Sequence, residues 1–474
     1  MILLFLWDGL RPDTITAEQT PFLYKKAQEG LICNAAHAAF PTATRVNSAT
    51  LATGCYPYRH GMVANSLFVS KINSQAAVSC GDWRFLKSLC DVEGGKLLHT
   101  PTLGEILKTH GKKVAFCGSG STGTSYLSNP TLTGPVVNWS IAWPEDVRRK
   151  VVKRFGSFVD AESPHFERSR FVVKVALEYL LPEHSPDVLT VWLSEPDHTQ
   201  HARGLGAPEV KGVLRELDGL LEHFLEELER RFGQEGFTCF FLSDHGFNTV
   251  CQRVDPDRIL FEAGLKRSPD SNDIVFSSAN LYINNENSLA RLPDTVRFLQ
   301  NETWVGGIFL RDDLLPAMQG IMPQSAVFSG SHKRSAALTL SYSWRSEENE
   351  HGVPGCVAGS SENRASHGSA SPYDINNCFL AWGQGIRKGA ISQVPCGLVD
   401  VAPTVLHLLG VGPLSCMDGR VLYEIFEKGP PPETLAVSLD TREIEYHSNQ
   451  GPRCQVVRYS VVDGHRYVDY VKLL

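Results

Sequence analysis

Six side chains of metal-binding type stand at four separate points of the chain, each read as lying at a strand end: Asp8, the pair Asp197 and His201, the adjacent Asp244-His245, and His367. A hydroxyl at a helix start, Thr42 or Thr44 in FPTATRVNSATLATG, adds a seventh donor. Three aspartates, three histidines and a hydroxyl suffice for two divalent ions with mixed nitrogen and oxygen ligands. Such a set suits Zn²⁺ and needs no thiolate. Two ions roughly 4 Å apart can clamp the attacking and leaving oxygens of an in-line phosphoryl displacement. One of them would also lower the pKa of the hydroxyl, making it a nucleophile. The helix start itself favours negative charge. Each fragment has an ordinary explanation by itself. Asp8 before Gly9 forms a turn, a threonine at a helix start caps it, and Asp244-His245 can be a structural pair. Their joint occurrence points to a metal centre.

The elements that must position these groups follow from the apolar pattern. Ile2 to Trp7, Lys113 to Cys117, Asp187 to Leu193 and Thr238 to Leu242 are short apolar runs of the kind buried on both faces of a parallel sheet. In open α/β sheets the chemistry sits at the carboxyl ends of such strands. Asp197 and His201 are four apart, so a turn of helix puts both on one face, with His198 pointing elsewhere. Helices are expected from Thr20-Pro21 to Gly30, from Thr42 or Thr44 to Thr53, from Thr100-Pro101 to Gly111, over Pro144 to Arg154 and Pro164 to Leu181, for about 25 residues from Pro208, and over Val399 to Leu409. The alternation predicts an α/β fold with a doubly wound, mainly parallel sheet.

That alternation breaks over 255–363, where strand-like runs (Ile274 to Ile283, Trp304 to Leu310, Ala336 to Trp344) and a helix near Pro293 to Gln300 predict an inserted smaller α+β sub-domain. The catalytic core is then 1–254 with 364–425, and 426–474 is a β-rich tail of edge hairpins packing on it. The insert precedes His367, which suits a cover over the substrate. Ser66 to His99, the small-residue stretch GSGSTGTSYLSNP and the polar segment Arg345 to Asn363 read as loops. The second of these lacks the lysine of a P-loop.

Composition narrows the partners. The chain has 474 residues, 42% of them apolar, and a net charge of −7 with no long basic run, which disfavours binding to nucleic-acid polymers. No segment approaches the length of a membrane span, and the N-terminus reads as a strand rather than a leader. Twelve cysteines without CxxC spacing read mostly as free thiols in a reducing, cytoplasmic compartment. The triplets Asn138-Trp-Ser and Asn301-Glu-Thr leave a secreted origin open.

The order of motifs (DG, PTxT, N, EPDxxxH, SDHG, SHG) resembles the alkaline phosphatase superfamily, and within it the type I phosphodiesterase / nucleotide pyrophosphatase family. The resemblance runs from Asp8 to His367, with a family-like helix after Val399. It implies Thr44, rather than Thr42, as a nucleophile that becomes a phospho-threonine, because Asn65 then lies where the family's asparagine donates to a phosphoryl oxygen. It implies one zinc on Asp8, Thr44, Asp244 and His245 and another on Asp197, His201 and His367. The implied substrate is a small phosphate diester or phosphoanhydride. Three departures bear on specificity. Arg45 stands where the family often has a base-contacting aromatic, and can grip an anionic group. GSGSTG offers no Lys or Arg where related phosphomonoesterases and phosphonoacetate hydrolases have them, which favours a diester. GCYPYR is displaced from the nucleophile, which argues against a sulfatase. The alternatives are a phosphomonoesterase or phosphonate hydrolase that recruits another cation, and a non-catalytic binding member.

Overall fold

All six residues of the first strand, Ile2–Trp7, are buried. Successive side chains point to opposite faces of a strand. Leu3, Phe5 and Trp7 therefore join one core, with residues of helices Pro21–Glu29, His165–Val175 and Pro208–Phe232. Ile2, Leu4 and Leu6 join the other, with helices Leu103–Thr109 and Val401–Leu408. Emptying one position, such as Phe5→Ala, would cost about 3–5 kcal/mol, a large part of the ~5–15 kcal/mol that holds a domain folded.

The computed structural model describes residues 1–474 apart from 234, 319, 329, 331 and 361. Its nine-stranded sheet runs Ala390–Ser392, Leu31–Cys33, Phe379–Gly383, Thr238–Leu242, Ile2–Trp7, Val188–Leu193, Val114–Gly118, Val136–Asn138, Ala142–Trp143. Ile2–Trp7 pairs in parallel with strands on both sides. Phe379–Gly383 and Ala142–Trp143 run antiparallel to their neighbours. This is the mainly parallel α/β architecture the alternation predicts. The carboxyl ends of three adjacent central strands meet at Asp8, Ser194 and Ser243.

Residues 274–342 contribute a five-stranded sheet (Ile274–Ser277, Asn280–Ile283, Leu338–Tyr342, Val305–Leu310, Met322–Pro323) with its own apolar core. A four-stranded sheet joins Trp344–Glu348 and Pro354–Gly359 to Asn248–Arg253 and Ala365–Ser366. It thus stitches the inserted region to the segments on either side. A disulfide, Cys251–Cys356, bridges two of these strands, and the other ten cysteines are free.

Several loop expectations are corrected. Ser66 to His99 contains an amphipathic helix, Trp83–Val92, capped by Asp82, whose Phe85, Leu86 and Leu89 pack with Leu97 and Leu98. Three of its six apolar residues are buried, and the polar, glycine-containing segments on either side hide the period in the sequence. GSGSTGTSYLSNP is not a flexible loop. Ser121 caps the helix Thr122–Ser128, and a Cβ on Gly123 would lie 1.9 Å from the Cys80 carbonyl oxygen, so that glycine serves close packing. Arg345 to Asn363 holds the strand Pro354–Gly359, whose burial comes from tertiary neighbours rather than from its Gly-rich composition. The next helix starts at Leu103, behind a Thr102–Glu105 capping box, rather than at Thr100-Pro101. The tail forms one antiparallel sheet of strands of 12, 12 and 9 residues, Val437–Ser448, Gly451–Val462 and His465–Leu473, longer than the short runs expected. Val457, Tyr459 and Val471 seat it against Phe309 and Met322 of the inserted sheet.

Candidate active site and metal centre

The ligand-type residues named from sequence converge. Asp8 follows the first strand, and Trp192 Nε1 donates to its Oδ2 at 3.1 Å. Asp244 follows Thr238–Leu242, and the Gly9 N–H donates to its Oδ1 at 3.0 Å. These bonds aim the opposite oxygens inward: His245 Nε2 lies 3.2 Å from Asp244 Oδ2 and 3.6 Å from Asp8 Oδ1. Asp197 opens the helix Asp197–Arg203, and its Oδ1 lies 3.4 Å from His201 Nε2 and 3.5 Å from His367 Nε2. His198 faces away, exposed and stacked 3.4 Å from His165.

Each of the three histidines places Nδ1 against a backbone carbonyl: His245 against Gly246 O at 2.9 Å, His201 against Ala365 O at 2.8 Å, His367 against Thr42 O at 2.7 Å. A carbonyl only accepts, so in His245 and His367 Nδ1 carries the proton and Nε2 presents a lone pair to the cluster, whereas His201 Nδ1 also lies 2.9 Å from Asn363 Nδ2. Metal-binding imidazoles are held in this way. Asp8 Oδ1, Asp197 Oδ1 and Asp244 Oδ2 are buried without hydrogen-bond partners. Buried charge of this kind is stable only when paired or metal-bound. The donor atoms of Asp197, His201 and His367 lie within 4.8 Å of one another, as do those of Asp8, Asp197 and His245. The residues present therefore fit divalent cations, with Asp197 common to both groups.

The electrostatics agree. Burial, reinforced by Asp244 and Asp197, pushes the Asp8 carboxyl well above the usual range. Burial also raises Asp244. For Asp197 burial acts in the same direction, but His201 and His367 outweigh it and hold the carboxyl low. Burial and the neighbouring His245 ring push His367 down. The bare cluster thus carries more carboxylate than its surroundings stabilise.

Thr44 is the first residue of the helix Thr44–Thr53, behind an N-cap at Ala43. Neither Thr42 nor Thr44 caps this helix, which corrects the sequence expectation. The Thr44 hydroxyl instead lies 3.3 Å from His245 Nε2. Thr42 Oγ1 donates to Ser369 O and accepts from the Gly368 N–H, clamping the loop that carries His367. Asn65 Oδ1 accepts from the Arg45 N–H at 3.0 Å, which leaves its amide N–H groups to donate elsewhere. Arg45 is half-buried rather than solvated; its Nε is buried without a hydrogen-bond partner, and its charge acts on the Asp8 carboxyl. Its Nη2 lies 2.9 Å from where a Cβ on Gly81 would stand.

Sequence reasoning missed the groups that hold these side chains. Asp374 is fully buried, and burial raises its carboxyl to about 6. It accepts from Ser369 N–H and Oγ and from Asn248, while its backbone oxygen accepts from Gly246 N–H. It so ties the His245 and His367 loops together. Glu195 accepts from Thr199 N–H and Oγ1, bracing the turn that carries Asp197. A Tyr-Asp in the four-residue helix Pro372–Ile375 and a Glu before Pro carry no signal of this in the sequence.

Residues 2–302 match the family model described as type I phosphodiesterase / nucleotide pyrophosphatase. The chain is 25% identical over 257 residues to venom phosphodiesterase 2 of Crotalus adamanteus, covering 54% of this chain and 28% of that one. It is 24% identical over 257 residues to ectonucleotide pyrophosphatase/phosphodiesterase family member 3 of Mus musculus, covering 54% and 26%. The chain thus spans about a quarter of the length of these curated relatives. Among solved structures, alkaline phosphatase PafA superposes with a TM-score of 0.68 at 16% identity over 90% of this chain and 98% of that one. Murine ectonucleotide pyrophosphatase / phosphodiesterase 5 does so with 0.61 at 16% over 87% and 96%. The fold is therefore alkaline-phosphatase-like. Among the described residues no helix is long and apolar enough to cross a membrane.

Proposed function

The chain belongs to the type I phosphodiesterase / nucleotide pyrophosphatase family, and from that premise we propose that it hydrolyses small phosphate diesters or phosphoanhydrides through a covalent phospho-threonine on Thr44. The observation that carries this reading is the Thr44 hydroxyl, not used as a cap and 3.3 Å from His245 Nε2, which itself lies 3.6 and 3.2 Å from the partnerless oxygens of Asp8 and Asp244. Asp8, Thr44, Asp244 and His245 would hold one divalent ion and Asp197, His201 and His367 a second, zinc matching these nitrogen and oxygen donors best. When bound, such ions supply Lewis acidity that lowers the pKa of a hydroxyl and neutralises phosphoryl charge.

Thr44 Oγ gives up its proton and forms the bond to phosphorus while the bond to the leaving oxygen breaks, and that oxygen takes up a proton. Water then attacks phosphorus, the P–Oγ bond breaks, Thr44 regains a proton and the phosphate product leaves. Asn65, fixed through its Oδ1, donates its amide N–H to a phosphoryl oxygen as charge develops there. Arg45, whose buried Nε has no hydrogen-bond partner, attracts a non-bridging oxygen. The same arginine favours a second reading, a phosphomonoesterase in which Arg45 meets a terminal phosphate. Residues 255–363 act as the inserted unit that walls the site.

The test compares bis(4-nitrophenyl) phosphate with 4-nitrophenyl phosphate, on protein of known metal content, before and after chelation and zinc add-back. Chelator-sensitive diester preference supports the first reading, and monoester preference the second. Two bound ions without turnover point to a phosphonate or to a binding role. As to compartment, the free thiols suggested the cytoplasm. The Cys251–Cys356 bond, together with relatives named as venom and ecto-enzymes, favours an oxidising one. Mass mapping of unreduced peptides distinguishes the two.

A further inference from the structure

A cavity of about 280 Å³ opens beside the ligand cluster. Its floor includes His201, His367 and Asn65, and its far wall belongs to the inserted region. Neither Thr44 nor His245 lines it. It opens instead against His201 and His367, and in an in-line displacement the leaving group departs away from the nucleophile. We propose that it is the leaving-group subsite and that it takes an uncharged group about the size of one ring or a glyceryl unit, with Tyr342 and Ser360 setting this specificity. The assignment rests on the phosphoryl-transfer reading above and narrows it. It favours esters of neutral alcohols over phosphoanhydrides, whose leaving group is itself a phosphate.

Three observations carry it. The first is charge. Among the described residues no Lys or Arg lines the cavity, and its single carboxylate, Asp374, has its oxygens taken by Ser369 and Asn248. A divalent ion on His201 and His367 would face the phosphoryl oxygens at the floor, but beyond it neither an anionic nor a cationic substituent finds a free counter-charge on the wall, and an unmatched charge is selected against. The second is size. The volume lies just below the ~300–1,000 Å³ of pockets for drug-sized ligands, which suits one substituent rather than an oligomer. The third is the wall. The Tyr342 ring packs 6.0 Å from Trp304, and its hydroxyl pairs with Ser360 Oγ at 2.8 Å, giving a fixed surface with a polar rim. Beside it stands the two-residue turn Ser278-Ala279, both at positive φ, held by Leu340 N–H to Ala279 O and by Asn280 Nδ2 to Ser278 O. Arg45 does not line this cavity, so the cation and the neutral wall address different parts of the substrate.

The experiment measures kcat/KM of the zinc-loaded protein on methyl 4-nitrophenyl phosphate and on its 3-carboxylated counterpart. The expected result is a preference for the neutral leaving group of at least about tenfold, the scale of one mismatched group. Ser360→Lys, at an exposed position that does not threaten folding, should narrow or reverse it. Tyr342→Ala should raise KM for the aryl diester more than it lowers kcat. Equal rates on the two esters, with selectivity unmoved by Ser360→Lys, would overturn the subsite while leaving the diesterase reading intact. Hydrolysis of neither ester would count against the diesterase reading instead. Saturation-transfer NMR with phenol and 3-hydroxybenzoate then decides the subsite without turnover. Transfer to phenol alone, lost in Tyr342→Ala, supports it, and equal or absent transfer to both overturns it.

Discussion

The two halves of the ligand cluster are built differently. Asp8, Asp244 and His245 are at most 5% exposed and hang from adjacent central strands, with Trp192 and Gly9 orienting the carboxylates. The side chains of Asp197 and His201 are 19% and 23% exposed and sit on a short helix, and His367 comes from a loop after the inserted region. The first half inherits the rigidity of the sheet. The second depends on side-chain and backbone clamps: Thr42 on the His367 loop, Ala365 on His201, Glu195 on the turn before Asp197. At the strand ends one hydrogen bond per carboxylate turns a side chain that the sheet already places, whereas at the rim the helix and the loop must themselves be held. That difference separates the chemistry expected of the deep half from the adjustable contacts expected at the rim.

The strongest test of the comparison removes the group at the deep half. Thr44→Ala should lower diester turnover by about 10⁴-fold or more while metal content stays near wild type; wild-type-like rates would remove the covalent step. Asn65→Ala should lower kcat by about 10²–10³, and an unchanged kcat would remove its donor role. The halves themselves are separated by graded chelation. Thr42→Val deletes the hydroxyl clamp on the His367 loop and should weaken metal retention at the rim by about 10–100-fold without changing the deep half. Trp192→Phe should do the converse through Asp8. Metal stoichiometry against chelator concentration reads both, and identical curves for the two variants would erase the distinction.

The smallest effect concerns the seating of the inserted region. Arg334 bridges to Glu93 and to the Gly61 and Leu97 carbonyls, with Lys333, His99 and His332 alongside. Burial tends to raise the Glu93 carboxyl, but Arg334 and Lys333 outweigh it and hold it down at about 2. A carboxylate with a depressed folded pKa stabilises the fold above its unfolded value, near 4.3, and that contribution is lost as the pH falls towards 2. Urea midpoints between pH 6 and pH 3 should therefore fall more steeply in wild type than in Glu93→Gln. Parallel slopes would show that the bridge does not hold the insert.

Much of this was legible in the chain because burial on both sheet faces leaves unbroken apolar runs, and a run such as ILLFLW ending in Asp-Gly announces both a central strand and its terminal group. The four-residue spacing of Asp197 and His201 states its own geometry once a helical turn is assumed. What failed were segments whose structure is imposed from outside. The strand Pro354–Gly359 has too few apolar positions to be seen alone, and the amphipathic helix Trp83–Val92 lies in a stretch otherwise read as irregular. Thr42 and Thr44 looked interchangeable as caps, and neither is one.

By itself the sequence determined the residue types of the centre, the strands that deliver them and the family to which the chain belongs, because these are encoded in local runs and short spacings. Tertiary structure alone decided which carboxylate oxygens face inward, which nitrogen each imidazole presents, and what walls the cavity beside them. Those depend on partners such as Trp192 for Asp8 and Thr42 for His367, 184 and 325 positions away along the chain. Hydrogen-bond direction is a property of two groups in space, and no single stretch of sequence contains both.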